Sequence, residues 1–140
     1  MLILGRFTPR RKAVLDAIRD ELRKRNYLPV LFDFDKPGSR NLTETVKTLA
    51  HMAKFVIADI TDARSIPQEL MAIVPGLPSV PVQPLLLGSK SEYGMFESFR
   101  PYPWVLPMYI YKNLDELLFC LEKQVIDPAE MWIKRARERP

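Results

Sequence analysis

Residues 55–60, Phe-Val-Ile-Ala-Asp-Ile, are apolar except for Asp59. A short apolar run without polar alternation suits a strand covered on both faces, as in parallel sheets whose crossovers place helices above and below. This strand-then-helix alternation occurs five times along the chain and predicts a parallel, doubly wound α/β sheet.

The expected elements follow from spacing and caps. Leu2 to Gly5 is a short first strand. Pro9 to Arg25 carries Val14, Leu15, Ile18 and Leu22 on one stripe with charges opposite, the pattern of an amphipathic helix packed on a sheet. Leu28 to Phe34 makes the second strand, and the loop Lys-Pro-Gly-Ser-Arg leads to an N-cap at Asn41 with Glu44 three residues on. Leu42, Val46, Leu49, Ala50 and Ala53 form the buried side of the helix that follows. After the third strand, Ser65 and Gln68 form an S-x-x-Q capping box with Pro67 in the first turn, and Pro75 and Pro78 close that helix. Val82 to Leu87 and Leu106 to Tyr111 are the fourth and fifth strands. Between them, Ser89 to Pro103 is aromatic and proline-rich, with at most a turn of helix. Asn113 and Glu116 cap the last long helix, and Asp127 with Pro128 starts a second, basic helical segment over 127–140.

A chain of 140 residues suits one domain, and 47% hydrophobic with 27% charged residues is ordinary for a globular protein. No apolar run approaches the roughly 20 residues that span a bilayer, and Met-Leu-Ile-Leu-Gly-Arg-Phe is too short for a signal-peptide core. The expectation is a cytoplasmic protein with no membrane partner. A strand beginning at Leu2 suggests a domain excised from a longer protein, whose other domains would be its partners. Cys120, in Leu-Leu-Phe-Cys-Leu-Glu-Lys, is expected as a small core residue. A single histidine, His51, and the absence of C-x-x-C or H-x-x-x-H spacing predict no metal site. The net charge of +4 is spread over helix faces (Arg19, Arg23 and Arg25; Lys134, Arg135, Arg137 and Arg139) without an aromatic platform, so no nucleic-acid partner is expected.

Ligands of open parallel sheets bind outside the carboxyl ends of the strands. Glu69 begins the second turn of the helix that follows the third strand, which makes it the first candidate for a catalytic residue. The helix dipole there favours the carboxylate, whereas burial in a cleft opposes it.

Three stretches, Leu-Ile-Leu-Gly-Arg-Phe-Thr, Asp-Phe-Asp-Lys-Pro-Gly-Ser-Arg and Ala-Asp-Ile-Thr-Asp-Ala-Arg-Ser-Ile-Pro-Gln-Glu-Leu, resemble the Toll/interleukin-1 receptor (TIR) domain, particularly its bacterial NAD-hydrolysing branch. The resemblance extends from Leu2 to about Lys123. It implies a flavodoxin-like sheet of five strands in the order 2-1-3-4-5. It also implies Glu69 as the catalytic glutamate, NAD as substrate with no bound cofactor, and self-association through the loop 35–42, which holds the Pro37-Gly38 pair. The implied role is cleavage of NAD to nicotinamide and ADP-ribose or a cyclised form in a bacterial signalling or antiphage system. Gly5-Arg6-Phe7 departs from the family's first box, and Tyr-Pro-Trp-Val-Leu-Pro-Met-Tyr-Ile-Tyr resembles its third only loosely. Nucleoside 2-deoxyribosyltransferases share a similar arrangement of Ala-Asp-Ile-Thr, loop, helix and glutamate, and a non-enzymatic self-associating adaptor is the third reading.

Cleaving an N-glycosidic bond develops positive charge on the ribose, which one nearby carboxylate stabilises or captures. Nicotinamide leaves NAD without a proton because its ring nitrogen is already cationic, so no histidine acid is needed. In that scheme Phe7 stacks on a ring, Arg6 holds a phosphate or ribose, Phe34 and Asp35 wall the mouth, Asp59 lies at the strand end, and Arg6, Arg40 and Arg64 are the loop cations for the pyrophosphate. Each also has a structural alternative. Glu69 can be a surface helix residue, Asp59 a cap for its loop, Arg6 a bridge to Asp35, Phe7 core, Gly38 a turn, and Tyr102 and Trp104 covers for a sheet end.

Overall fold

The computed structural model describes residues 1–5, 7–33, 48–50, 52–61, 74–76, 79–88 and 102–138. Five strands, β1 (Leu2–Gly5), β2 (Val30–Asp33), β3 (Val56–Asp59), β4 (Val82–Leu87) and β5 (Tyr109–Tyr111), form one sheet in the order β2-β1-β3-β4-β5. Every pairing is parallel. This is the flavodoxin-like arrangement expected from the sequence.

Strand alternation sorts side chains onto two faces, and both are apolar. Leu2, Leu4, Val56, Ala58, Val82 and Leu86 join Ala50, Ile60, Val74 and Val80 on one side. Ile3, Phe55, Ile57, Leu85 and Tyr111 face the helices on the other. These helices are α1 (Pro9–Lys24), α2 (Leu114–Leu121) and α3 (Asp127–Glu138). Nearly all these strand residues are fully buried, and burial of each large aliphatic chain contributes roughly 1.5–3 kcal/mol.

Local rules account for most boundaries. The Asn113 Oδ1 accepts from the Glu116 N–H at 2.8 Å, the expected cap of α2. α1 ends in a Schellman motif: Asn26 adopts φ 69°, its N–H bonds the Arg23 carbonyl, and the Tyr27 N–H bonds the Leu22 carbonyl. Gly5 is required by a close approach, because a Cβ there would lie 2.8 Å from a Leu15 methyl group. The helix therefore packs directly on the end of β1.

Several expectations need correction. β2 starts at Val30 rather than Leu28, whose side chain is exposed, because the pairing on that side ends at Met1, whose carbonyl accepts from the Val30 N–H. β5 is shorter than Leu106–Tyr111. Leu106 and Val105 do meet Val82, but Pro107 has no N–H and interrupts the ladder. Pro84 stands inside β4, and the buried Gln83 amide donates at 2.9 Å to the carbonyls of both Pro84 and Pro107. One side chain thus supplies a donor to the carbonyl of each proline. A helix starts at Asp127 as expected, but no break precedes it: the chain stays helical from Leu114 to Glu138 through a π-helical turn at Glu122–Ile126. That wider turn lies just before Pro128, whose ring would clash with the Gln124 carbonyl in an uninterrupted α-helix. Cys120 is half-buried rather than core. Of the second helix, Ala50 is buried and Leu49 and Ala53 pack against the same face as it does. The capping boxes at Asn41 and Ser65 lie outside the described residues.

Candidate functional site

β1 has β2 on one side and β3 on the other, so the chain direction of the winding reverses between β1 and β3. Such a switch point opens a crevice at the carboxyl ends of the two strands. Here those ends are Gly5 and Asp59.

Asp59 is 2% exposed and accepts four hydrogen bonds. The Thr61 N–H (3.0 Å) and Thr61 hydroxyl (2.6 Å) donate to Oδ1. Arg11 Nη1 and the Tyr111 hydroxyl each donate to Oδ2 at 3.3 Å. The same Arg11 nitrogen donates to the Tyr111 oxygen at 2.7 Å, so Tyr111 accepts from the cation and passes its own proton toward the carboxylate. Thr61 Oγ1 accepts in turn from the Leu87 N–H at 3.0 Å. Five residues from α1, β3, the residues just after it, β4 and β5 therefore meet at one edge. The capping role for Asp59 is visible in the two Thr61 bonds, and both of its oxygens are engaged by protein donors.

The electrostatics follow from burial. Desolvation raises the Asp59 pKa, and the Thr61 bonds, Arg11 and Tyr111 pull in the opposite direction. Burial, reinforced by the Asp59 charge, pushes the Tyr111 phenol up to about 12, so it remains a proton donor at neutral pH. Phe7, on the β1 side of the crevice, packs against the helix-side core and has the Lys12 ammonium 5.7 Å from its ring centroid. One ring face thus already has a cation over it.

Of the residues expected at the site, Phe7 and Asp59 are brought to this edge. Glu69, Arg6, Phe34, Asp35, Arg40, Arg64 and the loop 35–42 lie outside the described residues. Arg11 and Tyr111 were not anticipated. The signal for Arg11 was present: buried residues of α1 fall at 11, 14, 15, 18 and 22, so Arg11 continues the apolar stripe rather than the charged face. Trp104 belongs to the opposite end, where its carbonyl accepts from Val82 at the start of β4 and its indole N–H donates to the Val74 carbonyl at 2.6 Å. Tyr102 packs beside it, and together they cover the amino side of the sheet.

Two adjoining clefts of about 330 and 280 Å³ also lie at the amino end, between α3 and the residues preceding β3 and β4. Their walls include Lys54, Ile133 and Arg137, and Lys54 is paired at 2.8 Å with Glu130, which also accepts from Tyr27. They are remote from the switch point, and the topology makes the carboxyl edge the better candidate. Among the described residues no three His, Cys, Asp or Glu side chains cluster as metal ligands, and no helix is long and apolar enough to cross a membrane. No protein-family model, curated protein or solved structure matches the chain.

Proposed function

We propose that the protein is an NAD nucleosidase of TIR type, splitting NAD into nicotinamide and ADP-ribose or its cyclised form, with Glu69 as the catalytic carboxylate. The observation that carries this reading is the place of β3. It lies beside β1 at the switch point, and the segment leaving its carboxyl end runs in sequence to Glu69. Support also comes from the resemblance of that segment, Ala58 to Leu70, to the catalytic stretch of the NAD-hydrolysing branch.

The chemistry requires little more than a placed carboxylate. As the glycosidic bond to nicotinamide breaks, charge builds on the ribose, and Glu69 opposes it or bonds the anomeric carbon. The departing ring is neutral once free. Arg6, Arg40 and Arg64 would hold the pyrophosphate, and Phe7 would stand beside the crevice. A bacterial signalling or antiphage effector, assembled through the loop 35–42, is the setting this reading suggests.

The test is release of nicotinamide from NAD by concentrated protein, compared with Glu69→Gln. Release by the wild type and its loss in a folded Glu69→Gln variant supports the reading. Equal turnover by the variant removes Glu69 from the mechanism. Base exchange between deoxynucleosides without nicotinamide release would instead assign a deoxyribosyltransferase, and inactivity on both with self-association sensitive to Pro37 or Gly38 substitution would assign an adaptor.

A further inference from the structure

Arg11 breaks two local rules at once. It occupies the first turn of α1, where the helix dipole disfavours a cation and where no acidic residue is present to offset it. Its side chain is also only 10% exposed, although burying a charge costs several kcal/mol unless it is paired and hydrogen-bonded. A local rule broken inside an otherwise consistent fold marks a specific requirement.

We propose that Arg11 is a positioning residue for the carboxyl-edge site, acting through Asp59 and Tyr111 to hold the start of the segment that leaves β3. This rests on the nucleosidase reading for its kinetic consequence, though not for its structural one. A single nitrogen, Nη1, contacts both the Asp59 carboxylate and the Tyr111 hydroxyl, so the guanidinium joins the exits of β3 and β5 to the first turn of α1. The other oxygen of Asp59 holds the N–H and hydroxyl of Thr61, and Thr61 holds the Leu87 N–H at the end of β4. Removing the guanidinium leaves Asp59 buried with Tyr111 and Thr61 alone. Thr61 then keeps its bonds to a carboxylate whose other oxygen has lost its cation, and the exit of β3 loses its link to α1. Neither Arg11 nor Asp59 needs to touch the substrate for this to affect turnover, because placement errors of about 1 Å cost on the order of 100-fold in rate.

The experiment uses the full chain and three variants: Tyr111→Phe, Arg11→Met, and Arg11→Met with Asp59→Asn. The double variant removes both charges together, so it stays folded even if Arg11→Met, with its unpaired carboxylate, does not. Two measurements are made on each folded variant: nicotinamide release with kcat and KM separated, and amide hydrogen exchange at Ile60 and Thr61 against Ile57. The expected result is a loss of about tenfold or more in kcat with KM changed less than about threefold, the pattern of a misplaced site rather than a lost binding contact. Exchange at Ile60 and Thr61 should accelerate about tenfold or more while Ile57 is unchanged, a local opening at the strand exit. A folded double variant with wild-type kcat and wild-type exchange at Thr61 overturns the proposal. If the wild type releases no nicotinamide, the nucleosidase reading fails by itself. Exchange then decides: local acceleration upholds Arg11 as the anchor of this edge, and unchanged exchange refutes it.

Discussion

Gln83 offers the sharpest test of how this sheet is held together. Its buried amide donates two hydrogen bonds of 2.9 Å, to the carbonyls of Pro84 inside β4 and of Pro107 just before β5. Gln83→Leu keeps the approximate shape and removes both donors. Leaving a buried polar group without a partner costs about 1–3 kcal/mol, so two carbonyls set the gross loss at roughly 2–6 kcal/mol. The added apolar surface of leucine returns roughly 1–2 kcal/mol, leaving a net destabilisation of roughly 0–5 kcal/mol, with range midpoints that differ by about 2–3 kcal/mol. With a urea m-value of about 2 kcal/mol/M, the unfolding midpoint should fall by about 1–1.5 M at unchanged m. Gln83→Glu makes the reasoning more specific. A carboxylate has no proton to give either carbonyl, whereas the protonated acid gives one, so its pKa is raised in the folded state and stability is lost as pH rises through that value. Stability of the leucine variant within 0.5 kcal/mol of wild type, together with a glutamate variant showing no such pH dependence, would refute the bridging role.

At Asn26, whose φ of 69° closes the Schellman motif of α1, substitution by Gly should be neutral or slightly stabilising and substitution by Ala should cost about 1 kcal/mol, read from thermal unfolding. Gly5→Ala drives a Cβ to 2.8 Å from a Leu15 methyl inside the core and should cost about 1–3 kcal/mol, checked by urea unfolding. Burial raises the Asp59 pKa in the folded state above its ordinary value, so its contribution makes stability fall as pH rises from about 4 through the folded pKa; Asp59→Asn should remove that slope in a pH series of unfolding curves. Under the nucleosidase reading, specific activity should rise with protein concentration if the loop 35–42 assembles the site, and Arg→Ala at position 6, 40 or 64 should act mainly through KM; both are read from nicotinamide release over a dilution series.

The parts of this molecule that were legible in its sequence are those governed by periodicity. Val56, Ile57 and Ala58 announce a strand buried on both faces, and the spacing of Val14, Leu15, Ile18 and Leu22 announces the helix that covers one of them. Caps made by a neighbouring side chain, such as Asn113 on Glu116, were equally legible because donor and acceptor are three residues apart. The features that were missed depend on partners far away in sequence. Gln83 answers for Pro107, 24 residues on, and nothing in either neighbourhood reveals that one side chain will reach the carbonyls of both prolines. Arg11 meets Asp59 and Tyr111 across 48 and 100 residues, so neither partner is visible locally, and its place on the apolar stripe is an irregularity in an amphipathic pattern. Yet the irregularity was itself the signal. A charge on a buried stripe, at the helix end where the dipole opposes it, has to be offset by a partner elsewhere in the fold. In a doubly wound sheet the first turn of the first helix lies over the carboxyl edge, and the carboxylate closing the third strand is the natural partner there. Pairing an out-of-place charge with a strand-end acid therefore extends sequence reading from the elements of the fold to the residues that brace its site.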